Sequence, residues 1–153
     1  MNGKGTRPAL FFPSLAGFYD WAYEYSYLII RVTAGAILLV HGSLKFKFGL
    51  AAVAAAMAKN GFFPAEAFGA VAMFLETVGA ICIVLGLLTR FFAAAVATEM
   101  FFITFFVSFP HGFGFSAPGG GYEFPLMWGL IMFAIALRGG GPYSADRLIG
   151  KEL

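Results

Sequence analysis

Ionised side chains are scarce in this sequence: Asp, Glu, Lys and Arg make up 12% of 153 residues, about half the roughly 25% of an ordinary soluble domain. Ten basic residues against eight acidic ones leave a net charge of +2, without the basic patch that nucleic-acid binding needs. So apolar a chain is neither a disordered polymer nor a water-soluble enzyme, since its surface could not stay solvated. Cys82 is the one cysteine, so no internal disulfide forms and the redox compartment stays open. The two histidines, His41 and His111, come without a C-x-x-C-H motif or any further ligand cluster. They read as hydrogen-bonding residues near the membrane surface, and neither a metal site nor haem is expected. What fills the sequence instead is 60% hydrophobic residues, among them 20 phenylalanines, at a mean hydropathy of +0.83. This is the composition of an integral membrane protein, whose first partner is the lipid bilayer.

A bilayer span needs about 20 mostly apolar residues, and four stretches qualify, at 27–45, 66–87, 91–109 and 122–138. Pro64 precedes the second and Pro110 ends the third, because proline removes a backbone donor from a helix interior. Pro125 sits in the first turn of the fourth, where that donor would be unpaired anyway, and Gly139-Gly140-Gly141-Pro142 stops the helix. Only a short stretch around Thr89-Arg90 separates spans two and three, which predicts a tight hairpin. Residues 48–63 are alanine-rich and read as a short interfacial helix; residues 110–121 (PHGFGFSAPGGG) carry no ionised side chain and read as a loop against the membrane face.

The expected fold is therefore an all-α membrane protein, an antiparallel four-transmembrane-helix bundle in three segments. Residues 1–26 form an interfacial N-terminal segment in which Phe18, Tyr19, Trp21, Tyr23 and Tyr25 favour the headgroup layer. Its Pro13, Asp20 and Glu24 interrupt any signal-peptide core. Residues 27–142 form the membrane domain and 143–153 a cytoplasmic tail. Four spans put Lys4, Arg7, Arg90, Arg138, Arg147 and Lys151 on one side and Lys45, Lys47 and Lys59 on the other, which predicts both termini in the cytoplasm.

Arg31, Glu76 and Glu99 fall inside the spans, where each charge opposes insertion by about 2.5–3.5 kcal/mol. On the first helix Arg31, Gly35, Leu38, Gly42 and Lys45 share a narrow arc, with His41 at its edge. Gly69, Ala72, Glu76 and Ala80 form a small-residue stripe on the second. Such stripes let helices approach closely, so the two are expected to pack with their polar groups enclosed. Arg31 and Lys45 lie about 21 Å apart along the helix. Arg31 is expected to reach Glu76 or Glu99, and Lys45 with His41 to belong with Glu123 at the opening of the fourth span. These charges serve either as register-setting glue between helices or as a proton, ion or quinone site. Glu99, among Phe92, Phe102 and Phe106, reads as functional or protonated. Cys82 reads as packing. The run from Phe101 to Phe109 could flank a flat ligand, and Trp128 is unusual in lying inside its span.

These residues resemble the DoxX family of small bacterial membrane proteins. The resemblance rests on Arg31-x3-Gly35, then His41-Gly42-x-x-Lys45, then Glu76-x-x-Gly79-x6-Gly86-x-x-Thr89-Arg90, with Glu123 opening the last helix and Gly139 to Gly141 closing it. It covers residues 31–142; the aromatic N-terminal segment and the PHGFGFSAPGGG loop lie outside the family's pattern. The resemblance implies an antiparallel four-helix bundle in the bacterial inner membrane. Related DoxD-type chains form the membrane subunit of a thiosulfate:quinone oxidoreductase, and other DoxX-like chains are linked to thiol and oxidative-stress complexes.

Two functions compete. The first is a subunit of a quinone-linked redox complex, with quinone as the cofactor, Glu76, Arg31 and Glu99 as catalytic or proton-handling groups, and His41, Lys45 and Glu123 as cofactor-binding groups. The chain has no nucleotide fingerprint or Fe–S cysteine set, so this reading requires other membrane or redox subunits as partners. The second is a non-catalytic accessory or assembly subunit. A transporter ranks third and would require a homo-oligomer.

Overall fold

A computed structural model describes residues 8–152; Lys4 and Arg7, counted above for orientation, lie outside the described residues. The chain is helical throughout, without a strand among the described residues. After a 3-10 turn at Pro13–Leu15 come α1 (Ala16–Phe48), α2 (Leu50–Lys59), α3 (Ala65–Leu85), α4 (Thr89–His111), α5 (Glu123–Arg138) and α6 (Ala145–Ile149). Within α3 the segment Leu75–Gly79 is a π-helical turn; α4 carries another at Ile103–Ser108 before closing in a 3-10 turn at Phe109–His111.

Among the described residues three stretches are long and apolar enough to cross a membrane: Tyr25–Phe48, Ala65–Leu85 and Thr89–His111. The fourth expected span forms a helix, but α5 has 16 residues and measures about 24 Å, short of the roughly 30 Å hydrocarbon core. By contrast, α1 has 33 residues, about 50 Å. Its first two turns carry the aromatic cluster, and Phe18, Tyr19, Trp21 and Tyr23 are all exposed. Phe91, Phe105, Phe106 and Phe133 also face outward, as they must if the surrounding solvent is hydrocarbon.

The core runs along the line where α1, α3, α4 and α5 meet: Leu38, Ala80, Ile83, Ala93, Val96, Met132 and Ile135 are almost wholly buried. Two glycines of the first-helix stripe make the α1–α3 contact. A Cβ on Gly42 would collide with the carbonyl of Glu76, and one on Gly35 would lie 3.1 Å from the carbonyl of Ala80. The expected packing of the two stripes is thus observed over Gly35–Gly42 and Glu76–Ala80. Gly69 departs from it, because the lower part of α3 faces α2: its nearest neighbours are Ala54, Leu50 and Val53.

Three charged side chains tie the helix ends on the Arg31 side. Arg31, 1% exposed, donates to the carbonyls of Ile83 at 2.5 Å and Val84 at 2.8 Å in the last turn of α3, and to Tyr143 at 2.5 Å. Arg90 does the same for α5, donating to Ala136 and Leu137 at 3.0 and 2.6 Å. Asp146 is buried and caps α4 from the far end of the chain: it accepts from the N–H groups of Leu88 and Thr89 at 2.7 and 3.0 Å and from the Thr89 hydroxyl at 2.8 Å. Cations at carbonyl ends and an anion at an amide end both match the helix dipole. The turn between α3 and α4 is therefore Gly86-Leu87-Leu88, with Thr89 and Arg90 already helical, rather than Thr89-Arg90 itself. Leu88 is left-handed at φ 47°, and the Asp146 carboxylate holds its amide in that uncommon conformation. Residues 143–152, expected as a tail, fold back over these ends. Ser144 caps α6, and Glu152 accepts from Gly140 at 2.7 Å and pairs with Arg90 at 3.2 Å.

Gly42→Ala is expected to destabilise the bundle by about 1–3 kcal/mol through overpacking against a backbone that cannot move aside. Gly17→Ala, with nothing within 4 Å, stays within about 0.5 kcal/mol of wild type. Unfolding of both variants in detergent measures the difference; equal stability would place the α1–α3 contact elsewhere.

Candidate functional site

Past Gly42, α1 carries Lys45 alongside the π-helical turn of α3 that holds Glu76. The ammonium lies 2.6 Å from the Glu76 carboxylate, whose side chain is 4% exposed against 25% for Lys45. Glu76 Oε1 takes this bond, whereas Oε2 is buried without a partner. The π turn has its own local satisfaction: the Thr77 hydroxyl, one residue on, donates to the Met73 carbonyl at 2.5 Å. Turns of this kind recur at functional sites because they re-aim a side chain within an otherwise regular helix.

The pair borders a cavity of about 310 Å³ that reaches Leu38 and His41 on α1, Met100 and Ser108 on α4, and Phe124 and Trp128 on α5. The glycine-rich segment closes it from above with Phe115 and Gly119 to Gly121. That segment is ordered by its own hydrogen bonds, Tyr122 N–H to Gly112 at 3.0 Å and Glu123 N–H to Phe113 at 2.9 Å. One wall is a row of rings: His41 lies 5.8 Å from Phe124, which stacks on Trp128 at 5.4 Å and meets Phe115 at 6.1 Å. Trp128 is 7% exposed, and its indole N–H is buried with no acceptor. The cavity therefore has a flat aromatic wall, an ion pair, one unused buried acceptor and one unused buried donor among its lining residues. Unmet buried groups are costly in a protein, and a planar ligand bearing both carbonyl and hydroxyl character meets both.

The expected site residues separate into distinct places. His41, Lys45 and Glu76 come together. Arg31 reaches neither Glu76 nor Glu99, because its guanidinium is committed to the carbonyls of Ile83 and Val84 at the end of α3 and of Tyr143. Glu123 does not join Lys45: it is exposed, and its carboxylate accepts the Phe115 N–H at 2.9 Å, bracing the covering loop. Glu99 faces a second cavity, and both of its carboxylate oxygens are buried without a partner. His111 packs its ring against Gly119 of the same loop. Among the described residues no group of three His, Cys, Asp or Glu could hold a metal. Cys82 packs against the core, as expected. One important residue leaves no signal in the sequence, and a second leaves one that does not place it. Asp146 gave no signal, lying in a short polar stretch beyond the last span; Trp128 was noticed, but nothing in the sequence placed it with Glu76.

A family model described as DoxX matches residues 26–108, and the chain belongs to that family. The match takes in α1 through most of α4, including His41, Lys45, Glu76 and Glu99. Searches of curated proteins and of solved structures give no match.

Lys45→Met leaves Glu76 as an unpaired buried acid and is expected to destabilise the fold by about 3–5 kcal/mol, whereas Lys45→Met with Glu76→Gln removes both charges and recovers most of that loss. A double-mutant cycle by thermal unfolding in detergent reads the coupling. Additive losses would mean that the two side chains are independently solvated.

Proposed function

We propose that this DoxX-family protein is the membrane subunit of a quinone-linked redox complex and that the Lys45–Glu76 cavity takes the quinone ring. The observation that carries this reading is the conjunction at that cavity: the Trp128 indole N–H and the Glu76 Oε2 are both buried without partners, beside an ammonium and a flat aromatic wall. Quinone, when bound, supplies two-electron, two-proton redox chemistry. The chain's own part is to orient and protonate. Trp128 and Lys45 donate hydrogen bonds to carbonyl oxygen, and Phe124 packs against the ring. Glu76 accepts a hydroxyl proton or returns one, with His41 at the exposed end of the cavity exchanging it with solvent. In this reading electrons come from a partner subunit, because the sequence carries neither a nucleotide fingerprint nor an Fe–S cysteine set.

This reading places four antiparallel spans in the bacterial inner membrane with both termini in the cytoplasm. The short α5 completes the fourth crossing where its exposed charged ends, Glu123 and Arg138, let the bilayer thin locally. The Arg31 end then faces the cytoplasm and the Lys45 cavity faces outward. A second reading is supported by the exposed aromatic turns of α1, with Trp21 at 64%: an accessory subunit that docks a partner and catalyses nothing.

Mass spectrometry of the protein purified from native membranes in mild detergent is expected to find quinone and an oxidoreductase chain in stoichiometric amounts. In the same complex Glu76→Gln should lower quinone-dependent turnover by about 10²-fold, the usual contribution of a positioned acid–base group, with the protein still in the membrane. Trp128→Phe should weaken quinone binding by up to about tenfold, one hydrogen bond's worth. Large partner chains without quinone, and turnover indifferent to Glu76, would establish the accessory role instead.

A further inference from the structure

We infer that the second cavity, enclosed by α2, α3 and α4, is a binding site for a lipophilic organic cation, an ammonium or other onium centre on a hydrocarbon body, with Glu99 as its counter-ion. The cavity holds about 350 Å³ and its lining is almost wholly apolar. The exceptions are Asn60, Thr98 and Glu99. Two of these are already engaged: the Thr98 hydroxyl donates to Ala94 at 2.9 Å and the Asn60 amide to Ala56 at 2.8 Å. Glu99 alone is idle, with both carboxylate oxygens buried and no donor in reach.

A carboxyl in such surroundings has two ways to be neutral: it keeps a proton, or it takes a cation. Among the described residues no cation pairs with Glu99. Lys45 is bound to Glu76 at 2.6 Å, and Arg31 is spent on backbone carbonyls. Three rings also line the cavity: Phe62 and Phe68, with centroids 5.5 Å apart, and Phe102. Ring faces attract onium centres, and more strongly where water is excluded. Phe68, Phe102 and Val71 are partly exposed on the lipid-facing surface, so a ligand dissolved in the bilayer reaches the cavity laterally. A neutral lipid tail would fill the volume but leave Glu99 unanswered; an inorganic cation would answer Glu99 but find no oxygen shell. A lipophilic cation satisfies both. This site is separate from the Lys45–Glu76 cavity, with Ile103 lining the two, and does not rest on the quinone reading.

Proton and cation compete for the same carboxylate, so binding strengthens as pH rises. The other charged groups in its electrostatic surroundings are Glu76 on α3 and Lys45 on α1, which neutralise each other; α2 contributes no titratable group to the lining. The test is equilibrium dialysis of tritiated tetraphenylphosphonium against the full chain in detergent, with tetraphenylborate as a probe of like shape and opposite charge. Saturable 1:1 binding of the phosphonium is expected, tighter at pH 8.5 than at pH 6, with no saturable binding of the borate. Glu99→Gln should weaken it at least about tenfold, the loss of one charge-assisted contact. Phe102→Leu, which keeps the apolar volume, should weaken it about threefold. Glu66→Gln removes an exposed charge from α3, a different helix from that of Glu99, and should change nothing. Should Glu99→Gln not fold, Phe102→Leu and the phosphonium–borate comparison decide alone. Equal binding of both ions, indifference to Glu99, or no saturable binding would overturn the assignment.

Discussion

Hydrocarbon offers no hydrogen bonds, and everything distinctive in this protein follows from that constraint. Each helix end inside or near the bilayer leaves backbone groups that water would otherwise satisfy. Here three of those ends are met by charged side chains brought from other helices: Arg31 of α1 for the end of α3, Arg90 of α4 for the end of α5, and Asp146 of α6 for the start of α4. Each carries the sign that the helix dipole favours. One set of side chains therefore solves two problems, since the same bonds that satisfy the carbonyls and amides fasten four helices at one membrane face. Tyr27 adds to the clasp by donating to the Gly139 carbonyl while Arg138 lies over its ring at 4.1 Å.

With that face fixed, the α1–α3 contact determines what happens deeper in the bundle. Gly35 and Gly42 bring the two backbones so close that no ordinary side chain fits between them, and the register this imposes carries Lys45 onto Glu76. A larger residue at Gly42 would push the helices apart and leave a buried carboxylate facing an ammonium across a gap, an arrangement far costlier than the pair itself. Stability and the polar site are in this way the same contact. The π-helical turn at Leu75–Gly79 lies at that contact, and Thr77 meets the carbonyl of Met73 within it.

Much of this was legible from residue types alone. The spans at 27–45, 66–87 and 91–109 are read from apolar length, and a helix forms at each. The glycine arc on α1 is read from helical periodicity, and it does face α3. What could not be read was choice among partners. Arg31 had two glutamates within plausible reach, and periodicity gives a side chain's direction around its own helix but not the depth at which a neighbouring helix presents an acceptor. Two carbonyls at the end of α3, those of Ile83 and Val84, took the guanidinium instead, at 2.5 and 2.8 Å. Glu123 was assigned to Lys45 for a similar reason, as both lie at one membrane face; the loop from Gly112 to Tyr122 intervened by folding its own amide over that carboxylate. Asp146 shows a different limit. Its partner Thr89 lies 57 positions earlier, and a cap supplied across that separation leaves no local pattern. The fourth span was read from a hydropathy window that ran continuously to Arg138, yet the helix that forms has 16 residues.

The two buried glutamates illustrate how little separates a structural acid from a chemical one. Glu76 and Glu99 sit on adjacent helices, each beside a cavity of similar size, with Ile103 lining both. Their difference is set by α1, which runs close enough to α3 to supply Glu76 with a cation; Glu99 instead looks between α3 and α4 toward α2, a helix of 10 residues whose one lysine, Lys59, lies at its exposed end. An acid that has its counter-ion can hold a charge and spend its second oxygen on a ligand's proton. An acid that lacks one keeps its proton or takes a charge from outside. The asymmetry of one short helix against one long one thus divides the bundle into two chemically different chambers.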